Sequence, residues 1–225
     1  MMRIKINKIS LLVVFLFAAG LVLNTCSDEE DPIISTPPVF EETPVIIAGQ
    51  YNGITKTMGD ISFSDLSPVF RPFGSYVDDN KLLQYIDYFT VPGSAVKAVT
   101  PGIISEIIAN PVEEGDFEIR VTALPGAKYT IVYDHVQDVA VLEASQVEPG
   151  DTLGVAGTWS DTVRRTSLGI FVGEGANLRW YCPLNYGNSI FNEKHQLLFN
   201  QYLTLGKTPA YDSLCITGPI SPSLN

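Results

Sequence analysis

The chain has 225 residues, 45% of them hydrophobic, and a formal net charge of −11. That length and apolar share suit one β-rich domain with a packed core and exclude global disorder. The acidic balance, with no basic stripe beyond the first few residues, excludes nucleic acid as a partner, because phosphate binding needs clustered Lys and Arg.

The first element is a targeting segment rather than fold. Arg3, Lys5 and Lys8 precede an apolar run from Ile9 to Leu23. The run has the length of a signal-peptide core and is short for a spanning helix. Leu23-Asn24-Thr25-Cys26 follows, an aliphatic residue three before a cysteine with small or polar residues between. It resembles a lipobox, which implies cleavage before Cys26 and a diacylglycerol on its thiol. The expectation is a signal peptide over residues 1–25 and a protein held in the cell envelope by lipid, at the outer membrane. Ser27-Asp28-Glu29-Glu30-Asp31 resembles the acidic export signals of surface lipoproteins and equally suits a solvated tether. An acidic protein does not adhere to anionic headgroups by itself, so the lipid is the expected membrane anchor.

Residues 26–45 are rich in Asp, Glu, Pro, Ser and Thr and read as an extended tether, with the folded domain over 46–225. Residues 45–80 offer short apolar pieces broken by Gly, Pro and Asp, enough for two or three short strands or turns. The centre is clearer. Ala95–Val99, Ile103–Ile108, Phe117–Val121, Tyr129–Tyr133, Thr152–Gly157 and Ser167–Val172 are short apolar or alternating runs separated by turn residues such as Thr100-Pro101-Gly102 and Gly150-Asp151. This spacing predicts an all-β, antiparallel β-sandwich with its core over about 85–172. The tail changes period. Ile190, Phe191, Leu197, Leu198 and Tyr202 recur at helical spacing, with Asn188 or Ser189 to cap and Gly206 to stop, so a C-terminal helix over about 188–205 is expected to pack on the sheet. With Cys26 lipidated, Cys182 and Cys215 remain, as a disulfide or as two separate buried thiols.

From Asp87 to Val172 the order of turns resembles the lysostaphin-type (LytM-like) zinc endopeptidases, which cut peptidoglycan cross-bridges. The residues that carry the likeness are Asp87, then Val91-Pro92-Gly93-Ser94-Ala95-Val96-Lys97-Ala98, Gly102-Ile103-Ile104, Tyr133-Asp134-His135-Val136, the long block Val147-Glu148-Pro149-Gly150-Asp151-Thr152-Leu153-Gly154-Val155-Ala156-Gly157, and Ser167-Leu168-Gly169-Ile170-Phe171. The resemblance implies a small β-sandwich of the duplicated hybrid motif type. It also implies a zinc ion held by a His-x-x-x-Asp motif and the last residue of a His-x-His strand. Here Leu83 stands at the first His position, and Ser167 and Gly169 at the two places of His-x-His. Asp87 and His135 alone match. The chain has two histidines in all, whereas a catalytic zinc takes three protein ligands and a water. The expectation is therefore a pseudo-peptidase with no metal and no cofactor.

Asp87 and His135 are the candidate remnant site. Their plainer readings are a turn cap before Pro92 and a strand-end ring bonded to Asp134 or Asp138. Trp159, Arg164, Arg165, Trp180 and Tyr186 are the candidate ligand groove, since aromatic loop residues stack on sugars or peptides and the arginine pair suits a carboxylate. Aromatic residues also bury as core or lid. Three functions follow: a non-catalytic envelope protein that binds peptidoglycan or a protein partner, a divergent metallopeptidase with relocated ligands, and a surface glycan-binding accessory protein. The last requires Trp159, Trp180 and Tyr186 exposed on one face.

Overall fold

The computed structural model describes residues 36–78, 81–206 and 213–221, which belong to one compact unit, Ile33–Asn225. The signal segment, Cys26 and the acidic run 27–31 lie outside the described residues. In chain order the strands are β1 (Thr57–Met58), β2 (Ile61–Ser62), β3 (Phe70–Arg71), β4 (Tyr76–Asp78), β5 (Lys81–Leu82), β6 (Ile86–Thr90), β7 (Ala95–Lys97), β8 (Gly102–Ala109), β9 (Phe117–Thr122), β10 (Tyr129–Gln137), β11 (Gln146–Val147), β12 (Thr152–Thr158), β13 (Arg164–Val172) and β14 (Arg179–Tyr181). A helix, α1 (Ser189–Thr204), ends the order. The protein is all-β with a C-terminal helix, as expected.

Twelve strands form one curled antiparallel sheet in the order β1-β2-β6-β13-β12-β10-β9-β8-β11, with β3 on β6, β7 on β12 and β14 on β13; β4 and β5 form a separate hairpin. Strand β13 is the hub, pairing with β6, β10, β12 and β14. The register sorts side chains by face. Ile131 opposite Ile170, Tyr133 opposite Leu168 and Ile119 opposite Tyr133 turn into the core. Asp134 opposite Ser167, and Ser167 opposite Asp87, turn to the other face, because successive side chains alternate.

The helix covers the core face. Asn188 caps it, its Oδ1 accepting from Phe191 N at 2.9 Å, and Gly206 at φ 70° follows its end in the left-handed conformation. The buried stripe is Phe191, His195, Leu198 and Phe199. This corrects the expected face, since Ile190 and Leu197 are exposed. Tyr88 of β6 donates its hydroxyl hydrogen to His195 Nε2 at 2.7 Å, while His195 Nδ1 donates to the Phe191 carbonyl at 2.7 Å. The tautomer follows from a backbone carbonyl, which only accepts.

The domain begins earlier than expected. Residues read as tether are built in: Phe40, Thr43 and Val45 are buried. Phe40 N donates to the Tyr186 carbonyl at 2.7 Å and Asn188 N donates to the Phe40 carbonyl at 2.9 Å. The acidic and Pro-rich composition hides two core residues, Phe40 and Val45, and a buried polar one, Thr43, among solvated ones. At the other end Cys182 and Cys215 are joined as a disulfide, with Cα atoms 5.8 Å apart.

Candidate functional site

Strands β3, β6 and β13 place Arg71, Asp87 and Ser167 in one row across the non-core face. Asp87 is 1% exposed and lies inside a strand, so it does not cap the turn before Pro92. Its Oδ1 accepts from Ser167 Oγ at 2.6 Å. Its Oδ2 accepts from Arg71 Nε at 2.7 Å and from a second Arg71 nitrogen, a two-point ion pair. A carboxylate taken out of water needs such a partner. The Arg71 guanidinium lies over Phe89 and Trp159, 5.8 and 5.6 Å from their ring centroids.

His135 reaches the same face through a fault in β10. The pairing of β10 with β9 shifts between Tyr133 and Val136, and His135 sits there at φ 58°. A bulge of this kind re-aims a side chain that strict alternation would send elsewhere, and a non-glycine residue at positive φ costs about 1–3 kcal/mol. One Arg165 nitrogen lies against His135 Nε2. A guanidinium only donates, so Nε2 accepts, and Nδ1–H donates to Asp116 Oδ2 at 3.0 Å. Asp116 is buried and also accepts from Asn110 Nδ2 at 2.9 Å. Burial alone would raise its pKa, but the hydrogen bonds from His135 and Asn110 hold it below the ordinary carboxylate range. The Asp134 carboxylate accepts the His135 backbone N–H, at 2.9 Å, and burial outweighs it, raising its pKa. The expected partners of His135 were Asp134 and Asp138. Asp134 keeps a secondary place, with Oδ2 3.5 Å from Nε2, and the main partners are Asp116 and Arg165.

Asp87 and His135 thus line one cleft of about 310 Å³ with Arg71, Lys81, Leu83, Asp134, Arg165 and Ser167. Each is held by an arginine: Arg71 on Asp87, Arg165 on His135. The niche beside Ser167 is filled as well. A Cβ built on Gly169 would stand 2.5 Å from Tyr85 Cδ1 and 2.9 Å from Trp180 Cζ3, closer than side chains tolerate. The metal site implied by the resemblance does not fit these residues. Leu83 and Gly169 offer no donor atom, and the Asp87 carboxylate already holds a cation. One other donor set exists among the described residues: Glu113, Asp116 and His135 have ligand atoms within 4.8 Å of one another.

The groove candidates separate. Trp159, 42% exposed, packs edge-on to Phe89 with centroids 5.2 Å apart, and the Arg165 guanidinium lies over it at 4.6 Å. Arg164 turns back on its own loop, donating to the Ser160 carbonyl at 2.7 Å. Trp180 is buried against Tyr85 and Phe171. Tyr186 packs with Phe40, Tyr129 and Tyr181, and burial pushes its hydroxyl up to about 12. The three aromatic residues do not share an exposed face. Arg71, Tyr85 and Asp116 are the site residues that sequence reasoning missed.

No family model and no curated protein matches the chain. Among solved structures it is similar to the solution structure of lysostaphin (16% identity over 68% of this chain and 58% of that one, TM-score 0.41). It is also similar to Helicobacter pylori Csd3 (21%, 75% and 41%, 0.45) and to a putative glycyl-glycine endopeptidase LytM from Ruminococcus gnavus (20%, 58% and 60%, 0.36). The chain therefore spans a little over half of lysostaphin and less than half of Csd3.

Proposed function

We propose that this chain is a non-catalytic, peptidase-like lipoprotein of the cell envelope, anchored through lipid on Cys26 at the outer membrane, that binds peptidoglycan or an envelope protein through the cleft around Asp87 and His135. One observation carries the reading: the Arg71 guanidinium is seated on the buried Asp87 carboxylate, where a metalloenzyme would need the metal. The ring packing over Gly169 supports it, because a histidine there would displace both Tyr85 and Trp180. Ser167 spends its hydroxyl on Asp87.

A second reading, a hydrolase with relocated ligands, rests on Glu113, Asp116 and His135. Against it, both His135 nitrogens are engaged, and the Arg165 cation stands beside the ring. Metal content separates the two. The full-length chain, purified in detergent and equilibrated with Zn²⁺, is expected to retain well under one zinc per chain and to leave peptidoglycan peptides uncut. Zinc near one per chain that is lost in Asp87→Ala or His135→Ala, together with cleavage, would sink the proposal. Lipid on the chain is checked by metabolic labelling with palmitate, expected in the native chain and absent in Cys26→Ser.

A further inference from the structure

We infer that the cleft is a receptor for a peptide carboxylate, with Arg165 as the group that grips it and Trp159 as the platform behind. The inference rests on the non-catalytic binding proposed above and names what that site would take.

The arginines of the domain are paired unequally. Arg71 is paired with Asp87, and Arg120 with Glu106 and Glu118. Arg165 forms no ion pair with a carboxylate among the described residues. Its hydrogen-bond partner is the imidazole of His135, which accepts at a nitrogen without bringing a negative charge. Arg165 Nε is buried and has no partner. A guanidinium presents five donors in a planar fork, and a half-buried one whose Nε is shut off from water without a partner is an incomplete interaction. Burial works against its charge, lowering its pKa from the ordinary arginine value. An arriving anion reverses that penalty.

The surroundings select the anion. The cleft, about 310 Å³, is at the small end for a ligand site. Arg71, Lys81 and Arg165 line it together with Asp87 and Asp134, and Asp87 is already spent on Arg71 and Ser167. That balance accepts one negative charge and opposes two, which favours a carboxylate over a phosphate dianion. Carboxylate geometry also suits the fork of a guanidinium that lies over Trp159, 4.6 Å from the ring centroid. The rest of the lining gives the body of the ligand its character. Val77, Leu82, Leu83 and Tyr85 form an apolar wall, with Val77 45% exposed at its rim. A carboxylate attached to a small apolar residue, as at the C-terminus of a peptide ending in alanine, meets both parts.

The test uses the full-length chain in detergent with N-acetyl-Ala-Ala as the free acid, the same peptide as its C-terminal amide, and inorganic phosphate. Binding is read from Trp fluorescence and from the Arg Nε–H resonances. The acid is expected to shift the Arg165 signal and to bind about tenfold or more tighter than the amide, the range set by a charge-assisted hydrogen bond. Arg165→Gln should abolish that preference. Arg165→Lys, which keeps the charge and loses the fork, should keep a reduced one. Lys56→Gln removes an equal charge from an exposed pair and should change nothing. Acid and amide binding alike, no binding of the acid, phosphate binding as tightly as the acid, or Arg165→Gln with unchanged preference would each overturn the inference. Recovered peptide separates this failure from failure of the underlying reading: intact peptide bound without preference refutes the carboxylate alone, whereas hydrolysed peptide refutes the non-catalytic function itself.

Discussion

Substituting Arg71 by Met is the sharpest probe of the pair at the centre of the site. Methionine keeps most of the stem length over Phe89 and Trp159 and removes every donor. Asp87, with a side chain 2% exposed, then keeps one hydrogen bond, from Ser167 Oγ at 2.6 Å. Removing one partner of a buried ion pair costs about 3–5 kcal/mol, since the other charge is left unpaired. The Arg71 side chain is 27% exposed, so water can reach the vacated place and the lower end, about 3 kcal/mol, applies. In a domain of this size each kcal/mol moves the melting midpoint by roughly 2–4 °C, which gives a fall of roughly 6–12 °C. Arg71→Met with Asp87→Asn removes the stranded charge and should recover most of the loss. The assay is urea unfolding of wild type, both single variants and the double variant, read as a coupling energy. Lys56→Met serves as reference, because its pair with Asp65 is 55% and 74% exposed and is expected to contribute under about 1 kcal/mol. An Arg71→Met protein within about 0.5 kcal/mol of wild type, or a double variant whose loss equals the sum of the singles, refutes the reasoning.

Two further perturbations test the frame around the site. Burial lowers the His195 ring to a pKa of about 4 from 6.5, so the unfolded chain binds its proton first. Its contribution to stability is complete above pH 6.5 and is lost as pH falls toward 4, by roughly 3 kcal/mol. Stability measured across that window should slope less in His195→Gln, and an identical slope would contradict the assignment. The Cys182–Cys215 disulfide closes a loop of sequence separation 33. Cys182→Ser with Cys215→Ser should cost about 3–4 kcal/mol by loop entropy, and an unchanged urea midpoint would show that the bridge constrains nothing.

The strands that face water on one side were legible because alternation records a half-buried surface: Phe117–Val121 and Tyr129–Tyr133 lie within β9 and β10. Strand β6 left no such trace. All five residues, Ile86 to Thr90, are buried, Tyr88 under the helix and Asp87 and Phe89 under Arg71 and Trp159, so neither face is polar in pattern. Phe40 and Val45 were lost for the opposite reason, as isolated apolar residues in an acidic, Pro-rich stretch. Asp87 and His135 were found through the resemblance, while their partners Arg71 and Asp116 were not. Arg71 sits 16 residues before Asp87 on a two-residue strand, and Asp116 lies 19 before His135 just ahead of β9. Such pairs are fixed by register across the sheet, which a linear pattern does not carry.

The sheet is sealed by the two ends of the described chain. Phe40 bridges to Gly187, Phe73 to Cys215 and Trp180 to Ile220. These contacts span long stretches of sequence, the kind whose loop-closure entropy makes folding slow. During synthesis, β8, β9 and β10 can pair while later segments are still being added, but Phe40 must wait for Tyr186 and Asn188, and Trp180 for Ile220. The cleft therefore gains its final shape only when the last segment arrives. A chain cut before Leu214 would carry every cleft residue named above and still lack the strap that holds Trp180 over Gly169.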